Sequence, residues 1–183
     1  MEVLSILKSV CTALHKQDLV ILLENGAYHA NEELDCILNL LNQTLVEIAT
    51  SYVYLISSEQ IEVDADKFSL SSLKNKFYQV KKLKNKYGVN VKFVENEGYL
   101  HVPSGKYFLS YYFIPDKYEM ADVVDVFPSR VVEDDVVLGV LSRYFLHFGF
   151  YQEYEVFENR FNQKMQALRG EKSEKNVSFR LWR

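Results

Sequence analysis

The apolar positions of this chain follow two rules, a three-to-four-residue repeat at both ends and a finer alternation in the middle. Near the C-terminus, Tyr154, Phe157, Phe161, Met165 and Leu168 recur at helical steps, while Glu153, Glu155, Glu158, Asn159, Gln163 and Lys164 fall largely off that stripe. One side of such a helix is built to be buried and the other to be wet. The pattern predicts two segments, Val136 to Phe148 and Gln152 to Leu168, divided at Gly149, with Asp134 or Asp135 capping the first. At the other end, Val3, Leu4, Ile6, Leu7, Val10, Cys11, Ala13 and Leu14 predict a helix over 2–16. Leu19 to Leu23 reads as one more helical turn or a short buried strand, ended by Gly26. Asn31 is the expected N-cap of the longest early helix. Glu32 and Glu33 sit where the helix dipole favours acids, and Leu34, Ile37, Leu38, Leu41, Leu45 and Ile48 carry the stripe to about Thr50.

From Ser51 the alternation takes over. Tyr52 to Ile56, then Ile61 to Asp64, and more weakly Lys67 to Leu70, have strand composition. Stronger strands are predicted at Phe77 to Leu83, Val89 to Val94, Tyr99 to Val102 and Tyr107 to Ile114. They are separated by Lys86-Tyr87-Gly88, Asn96-Glu97-Gly98 and Pro103-Ser104-Gly105, and closed by Pro115. Connections this short join antiparallel neighbours, because a parallel crossover needs a dozen residues or more. The expectation is an α+β fold: a helical body made of an N-terminal helix, a long helix over about 31–50 and a C-terminal helix pair over about 135–169. An antiparallel β-meander is inserted at about 53–115. Residues 1–170 read as a single domain and residues 171–183 as a flexible polar tail.

At 183 residues there is room for one domain with a real core. Apolar residues at 48% and charged residues at 25% are an ordinary globular balance, so extensive disorder is not expected. Aromatics stand out at 14%, with thirteen Tyr and twelve Phe, residue types suited to sheets and to contact surfaces. A formal charge of −4 gives no overall attraction to nucleic acid or anionic membrane. Cys11 and Cys36 lie in helical patterns and read as buried thiols of a reduced compartment. Lys8, His15, Lys16 and Asp18 interrupt the first apolar stretch, so no signal peptide is read, and no run reaches the roughly 20 apolar residues of a membrane span. The chain reads as soluble and intracellular.

No catalytic arrangement emerges from the residue spacing. His15, His29, His101 and His147 show no HxxxH or HExxH pairing, and neither a GxGxxG nor a GxxxxGK[ST] motif occurs. Asp64 with Asp66, and Glu133 with Asp134 and Asp135, are explained by turns and helix caps more simply than by a hard metal. No cofactor, no metal and no enzymatic activity are expected. Two segments remain. Lys74, Lys76, Lys81, Lys82, Lys84 and Lys86 interleave with Phe77, Tyr78, Val80 and Tyr87, a mixture that serves nucleic acid because lysines neutralise phosphates and rings stack on bases. Strand alternation places Lys82, Lys84 and Lys86 on one side, which is also how a plain solvated strand face looks, and that simpler reading is preferred. The tail ends in Phe179, Arg180, Leu181, Trp182 and Arg183, joining a flexible tether to residue types that dominate binding hot spots.

The order of these segments resembles the head-to-tail connector, or adaptor, proteins of tailed bacteriophages. The likeness rests on "NEELDCILNLLNQTLVEIATSY", on "YFLSYYFIP" at the end of the inserted sheet, and on "DDVVLGVLSRYFLHFGFYQEYEVFENRFNQKMQAL". In the last segment Leu141, Tyr144, Leu146, Gly149, Glu153, Phe157 and Phe161 fall on places comparable with that family's pattern. The resemblance covers roughly residues 1–169 and is one of hydrophobic spacing rather than of reactive motifs. Tyr154 stands where the family pattern usually has Ala, which asks for a roomier helix interface.

The resemblance implies a structural virion protein rather than an enzyme. It implies a homo-oligomeric ring, usually dodecameric, beneath the portal protein, with tail or second-ring proteins assembled on it and DNA passing through without sequence-specific binding. It places the protein in the connector of the virion and makes Phe179 to Arg183 an anchor onto the portal or a neighbouring subunit. A reading from another class is a small nucleic-acid-binding or regulatory module whose contact surface is the Lys74 to Lys86 strand, through Lys81, Lys82, Lys84 and Lys86.

Overall fold

The computed structural model describes residues 1–27 and 31–170. The architecture is α+β, with helices at both ends of the chain and antiparallel sheets between them. Helices α1 (Val3–Ala13), α2 (Gln17–Glu24) and α3 (Glu32–Glu47) come first, and α4 (Glu133–His147) and α5 (Tyr151–Gly170) come last. Between them lie β1 (Leu55–Val63), β2 (Lys67–Ser69), β3 (Phe77–Asn85), β4 (Val94–Asn96), β5 (Tyr99–His101) and β6 (Gly105–Phe113). The chain divides into two compact units. One holds Met1–Val53 with everything from Lys117 onward, and the other holds Tyr54–Asp116. No helix among the described residues is long and apolar enough to cross a membrane.

In the helical unit the sequence signals operate locally as expected. The Asn31 side chain accepts from the N–H groups of Glu33 and Leu34, at 3.1 and 3.0 Å, and so satisfies two of the donors a helix start leaves open. Leu19 to Leu23 is helix, not strand. The regular turns of α3 stop at Glu47, and the chain continues as a π-helical turn over Ile48–Tyr52, closed by the Val53 N–H on the Ile48 carbonyl at 2.7 Å. At the start of α4 neither Asp134 nor Asp135 is the N-cap. Val132 holds that position, and Asp135, one turn in, accepts from the Val132 N–H at 3.3 Å. A shared core takes Ile6, Leu7 and Val10 from α1, Ile37, Leu41 and Leu45 from α3, Val136 and Val140 from α4, and Phe161 and Met165 from α5.

Three helices meet at Gly139. A Cβ built there would stand 2.5 Å from the Thr44 methyl and 2.9 Å from the Phe161 ring, so α4 approaches α3 and α5 as closely as it does only because that position has no side chain. Thr44 is itself fully buried, and its hydroxyl is satisfied by the Leu40 carbonyl at 2.8 Å. Polar ties surround this contact. Arg143 of α4 pairs with Glu47 of α3, while Ser142 donates to Glu158 at 2.6 Å across the α4–α5 pair. Asn162 donates to the same Glu158 at 2.9 Å and accepts from the Tyr52 hydroxyl at 2.7 Å. After the sheets, the returning chain is fixed by a reciprocal pair: Asn42 donates to the Tyr118 carbonyl at 3.0 Å and accepts from the Tyr118 N–H at 2.8 Å.

The sheet unit is antiparallel throughout, but its connectivity departs from a meander of sequence neighbours. Two three-stranded sheets form, with orders β1-β6-β3 and β2-β5-β4. The long strand β6 sits between β1 and β3, so its hydrogen bonds reach across tens of residues. Two segments expected to be separate, Tyr52 to Ile56 and Ile61 to Asp64, belong to the single strand β1, with Tyr52 left in the π-turn. Of the strand expected over Val89 to Val94 only Val94 is strand, opening β4, while Asn90 makes an isolated bridge to Lys84 of β3. Asn96, expected in a turn, ends β4, which joins β5 through Glu97 and Gly98, whose φ of 51° and 78° give the turn that matches strand twist. The unit's own core comprises Ile61, Val63, Leu83, Leu100, Tyr107, Leu109 and Tyr111, among others.

Replacing Gly139 with Ala therefore overpacks a junction between the buried Thr44 methyl and the Phe161 ring, and is expected to lower stability by about 1–3 kcal/mol. Gly149→Ala meets open space but must hold φ near +79°, and is expected to cost about 1 kcal/mol. Guanidinium unfolding of the two variants checks the order.

Candidate functional site

Two surfaces stand out, one in each unit. The first is the elbow between α4 and α5. Gly149, at φ +79°, ends α4 by donating its N–H to the Leu146 carbonyl at 3.2 Å, and the Phe150 N–H reaches the Phe145 carbonyl at 2.8 Å. This is the Schellman pattern, with its usual apolar contact supplied by Phe150 edge-on to Phe145 at 6.2 Å. Phe145 also stacks on Phe157 at 5.2 Å, and Tyr144 meets Phe148 at 4.5 Å. This ring cluster is only half covered. Leu146, Phe148 and Val156 are exposed, Phe150 is 52% exposed and Tyr151 67%. A tightly capped turn thus presents a contiguous apolar tip to solvent, the kind of patch that marks a contact with another macromolecule.

The second surface is the outward side of the β1-β6-β3 sheet. On β6, Tyr107, Leu109 and Tyr111 point into the core, so Lys106, Phe108, Ser110 and Tyr112 point out. Register places Ile56, Ser58, Gln60 and Glu62 of β1 beside them on one flank and Gln79, Lys82 and Lys84 of β3 on the other. Shifts in pairing between Phe77 and Gln79 and between Val80 and Lys82 give β3 an inward repeat of three, Phe77, Val80 and Leu83. Lys81 falls in the second shift and lies with its Nζ 5.7 Å over the Tyr112 ring. Tyr54 packs tilted against the same ring at 4.9 Å. Glu62, the one acid of this face by register, pairs with Lys106 at 3.7 Å.

Lys81, Lys82 and Lys84 are thus brought together along one edge strand, whereas Lys86 lies beyond the end of β3 in a turn, 5.0 Å over the Tyr87 ring. Phe179, Arg180, Leu181, Trp182 and Arg183 lie outside the described residues, as does His29. His15, His101 and His147 are exposed. Asp66 is engaged by Ser104, whose N–H and hydroxyl donate to it at 2.6 and 3.0 Å. Glu133 accepts from Ser5 and Ser9 of α1 at 2.9 and 3.0 Å. Among the described residues no group of three or more His, Cys, Asp or Glu is placed to hold a metal ion. The sequence reading missed the elbow surface. Its signal was the run Phe148-Gly149-Phe150-Tyr151, in which three aromatics flank a helix stop and leave the helical stripes.

No family profile matches the chain, and no curated protein matches it.

One electrostatic cluster is internal to the helical unit. Lys16 pairs with Glu33 at 2.7 Å, and the Tyr144 hydroxyl donates to the same carboxylate at 3.0 Å, tying the α1–α2 link and α4 to the start of α3. Burial, reinforced by Glu33, pushes the Cys11 thiol up from 9.0 to about 11 and raises Tyr144, while the bond to Glu33 raises Lys16. All three keep their protons longer folded than unfolded, so the unfolded chain binds fewer protons as the pH climbs, and stability falls. The denaturation midpoint is expected to be insensitive to these groups below pH 9, to drop between 9 and about 11 through Cys11, and to lose the Tyr144 and Lys16 contributions as the pH rises past 10.0 and 10.5. Cys11→Ala lowers the whole curve through lost packing and flattens that part of the drop.

Proposed function

We propose that this protein is a non-enzymatic assembly subunit, a head-to-tail connector of a tailed bacteriophage that forms a ring between portal and tail. The observation carrying this reading is the α4–α5 elbow, where Phe148, Phe150 and Tyr151 stand in solvent on a turn that is fully capped from within. Exposed rings on a mobile loop would be unremarkable. Rings held out by a satisfied Schellman turn next to a stacked pair form a preorganised contact, and preorganisation reduces the ordering cost of association. The order of elements, helices first, an inserted antiparallel unit and a closing helix pair, supports the same reading through the resemblance carried by Leu141, Tyr144, Gly149, Phe157 and Phe161.

On this reading the elbow meets a neighbouring copy or the portal, and closure of successive head-to-tail contacts makes the ring. The terminal Phe179 to Arg183 is a second anchor, whose Trp and Arg are the residue types that concentrate binding energy. DNA passes the ring without base-specific contact, and the protein resides in the neck of the virion.

Native mass measurement, with and without the portal of the same virus, tests this: ring-sized assemblies are expected, and a chain that stays monomeric in both settings contradicts it. The double substitution Phe150→Glu with Tyr151→Lys is expected to weaken assembly at least a hundredfold, from the loss of about 3 kcal/mol or more at a hot spot, with an unchanged circular dichroism spectrum. Removing residues 171–183 is expected to leave a folded chain that no longer joins its partner; undiminished joining removes the tail from the mechanism.

A further inference from the structure

We propose that the outward face of the β1-β6-β3 sheet binds single-stranded nucleic acid, with Phe108 and Tyr112 as base platforms and Lys81, Lys82 and Lys84 as phosphate contacts. The starting point is Phe108. It lies on the central strand, and it is 51% exposed. Lysines and pairing shifts on β3 are what an edge strand uses to refuse another strand, so those features alone are explained by protection of the edge. That explanation does not reach a phenyl ring in the middle of the sheet, flanked by Gln60 and Lys84 in the register.

The face has the parts a single strand needs. Phe108 and Tyr112 are four residues apart on one side of one strand, about 13 Å along it, with only Ser110 between them. Ser110 is small and its hydroxyl is already shared with Ser58 at 2.8 Å, so nothing bulky separates the two rings. The lysines run beside this row on β3. Tyr112 is half-buried, with Tyr54 tilted against its ring at 4.9 Å and Lys81 over it at 5.7 Å, so a base takes that ring by moving the Lys81 ammonium aside toward the phosphate, while Phe108 is the open platform. Glu62 at the far end is neutralised by Lys106. The unit that carries the face has nine lysines against seven acids, a net +2, while the rest of the chain has twelve cations against eighteen acids, a net −6. In an acidic protein the unit that presents the rings is therefore the one with a net positive charge.

Single strands fit better than the alternatives. In a duplex the bases are stacked on each other and their faces cannot reach a flat sheet, whereas an unpaired strand offers every base to a ring and its backbone to the lysines. An acidic protein segment would use the lysines but leave Phe108 and Tyr112 without a planar partner. The site is separate from the elbow, and it stands or falls independently of the ring reading.

The test is fluorescence anisotropy of the full-length chain with labelled oligothymidylate of about 16 nucleotides, near the upper end of footprints for single-strand sites. Binding is expected, stronger than to a duplex of the same length and not displaced by polyglutamate. Its affinity should fall with salt at a log–log slope of about −2, corresponding to three phosphates on a single strand. Phe108→Ala and Phe108→Leu are both expected to weaken binding about tenfold, because the leucine keeps apolar bulk but loses the ring. Replacing Lys82 and Lys84 with Ala should flatten the salt dependence. Absence of binding at low salt, equal preference for duplex, displacement by polyglutamate, or full affinity in Phe108→Leu overturns the proposal.

Discussion

Everything in the helical unit depends on how close α4 can come to α3 and α5, and that distance is fixed at Gly139. Helices pack at a separation set by the side chains at their point of contact, and here one helix offers none. The Thr44 methyl and the Phe161 ring fill the place from either side. Once the backbones are this near, short polar side chains suffice to link them, as Ser142 to Glu158 does. The Tyr52–Asn162–Glu158 chain then joins the end of α3 to α5. From that contact the two helices stay together as far as the elbow, through Ser142 on Glu158 and Phe145 on Phe157.

The two units solve different problems with different chemistry. The helical unit is built from long apolar stripes, carries the chain's negative charge and keeps its buried carboxylate, Asp135, bound to a backbone N–H. The sheet unit has no arginine, and it stabilises a short core with aromatic residues whose polar ends are used. The buried Tyr111 hydroxyl donates to Glu59 and accepts from the Asn75 N–H at 3.3 Å, and the Tyr107 hydroxyl donates to the Pro103 carbonyl at 2.7 Å. Tyrosine lets a thin sheet bury ring area without stranding a hydroxyl.

Which features could be read from residues alone follows from the range of the interaction that sets them. Asn31 and Gly149 were legible because caps are made within a few residues, and the α3 and α5 stripes because helical spacing repeats locally. The strand β1 was broken in two by Ser57 to Gln60, since one inward position is held by Glu59, which binds a tyrosine hydroxyl instead of apolar neighbours. In β3 the pairing shifts replaced a period of two with a period of three as far as Leu83, which brings Lys81 to Tyr112, whereas Lys86 leaves the face shared by Lys82 and Lys84 because the strand ends at Asn85. The partners of β6 were hidden entirely: short connections reveal who follows whom, and β6 bonds to strands far back in the chain. The elbow escaped for the opposite reason, because exposure of Phe150 and Tyr151 is a property of what fails to pack over them.

The place at which the sheet unit interrupts the helical one governs how the protein can be made. The chain leaves the helical unit at Val53 and re-enters at Lys117, so α1 to α3 emerge from the ribosome with their apolar faces unmatched until α4 and α5 have been translated some eighty residues later. The inserted unit has all its pairing partners in one continuous stretch and is able to complete itself in the interval. The first helices thus spend the interval with apolar surface uncovered, the condition under which a nascent chain is most prone to stick to its own kind.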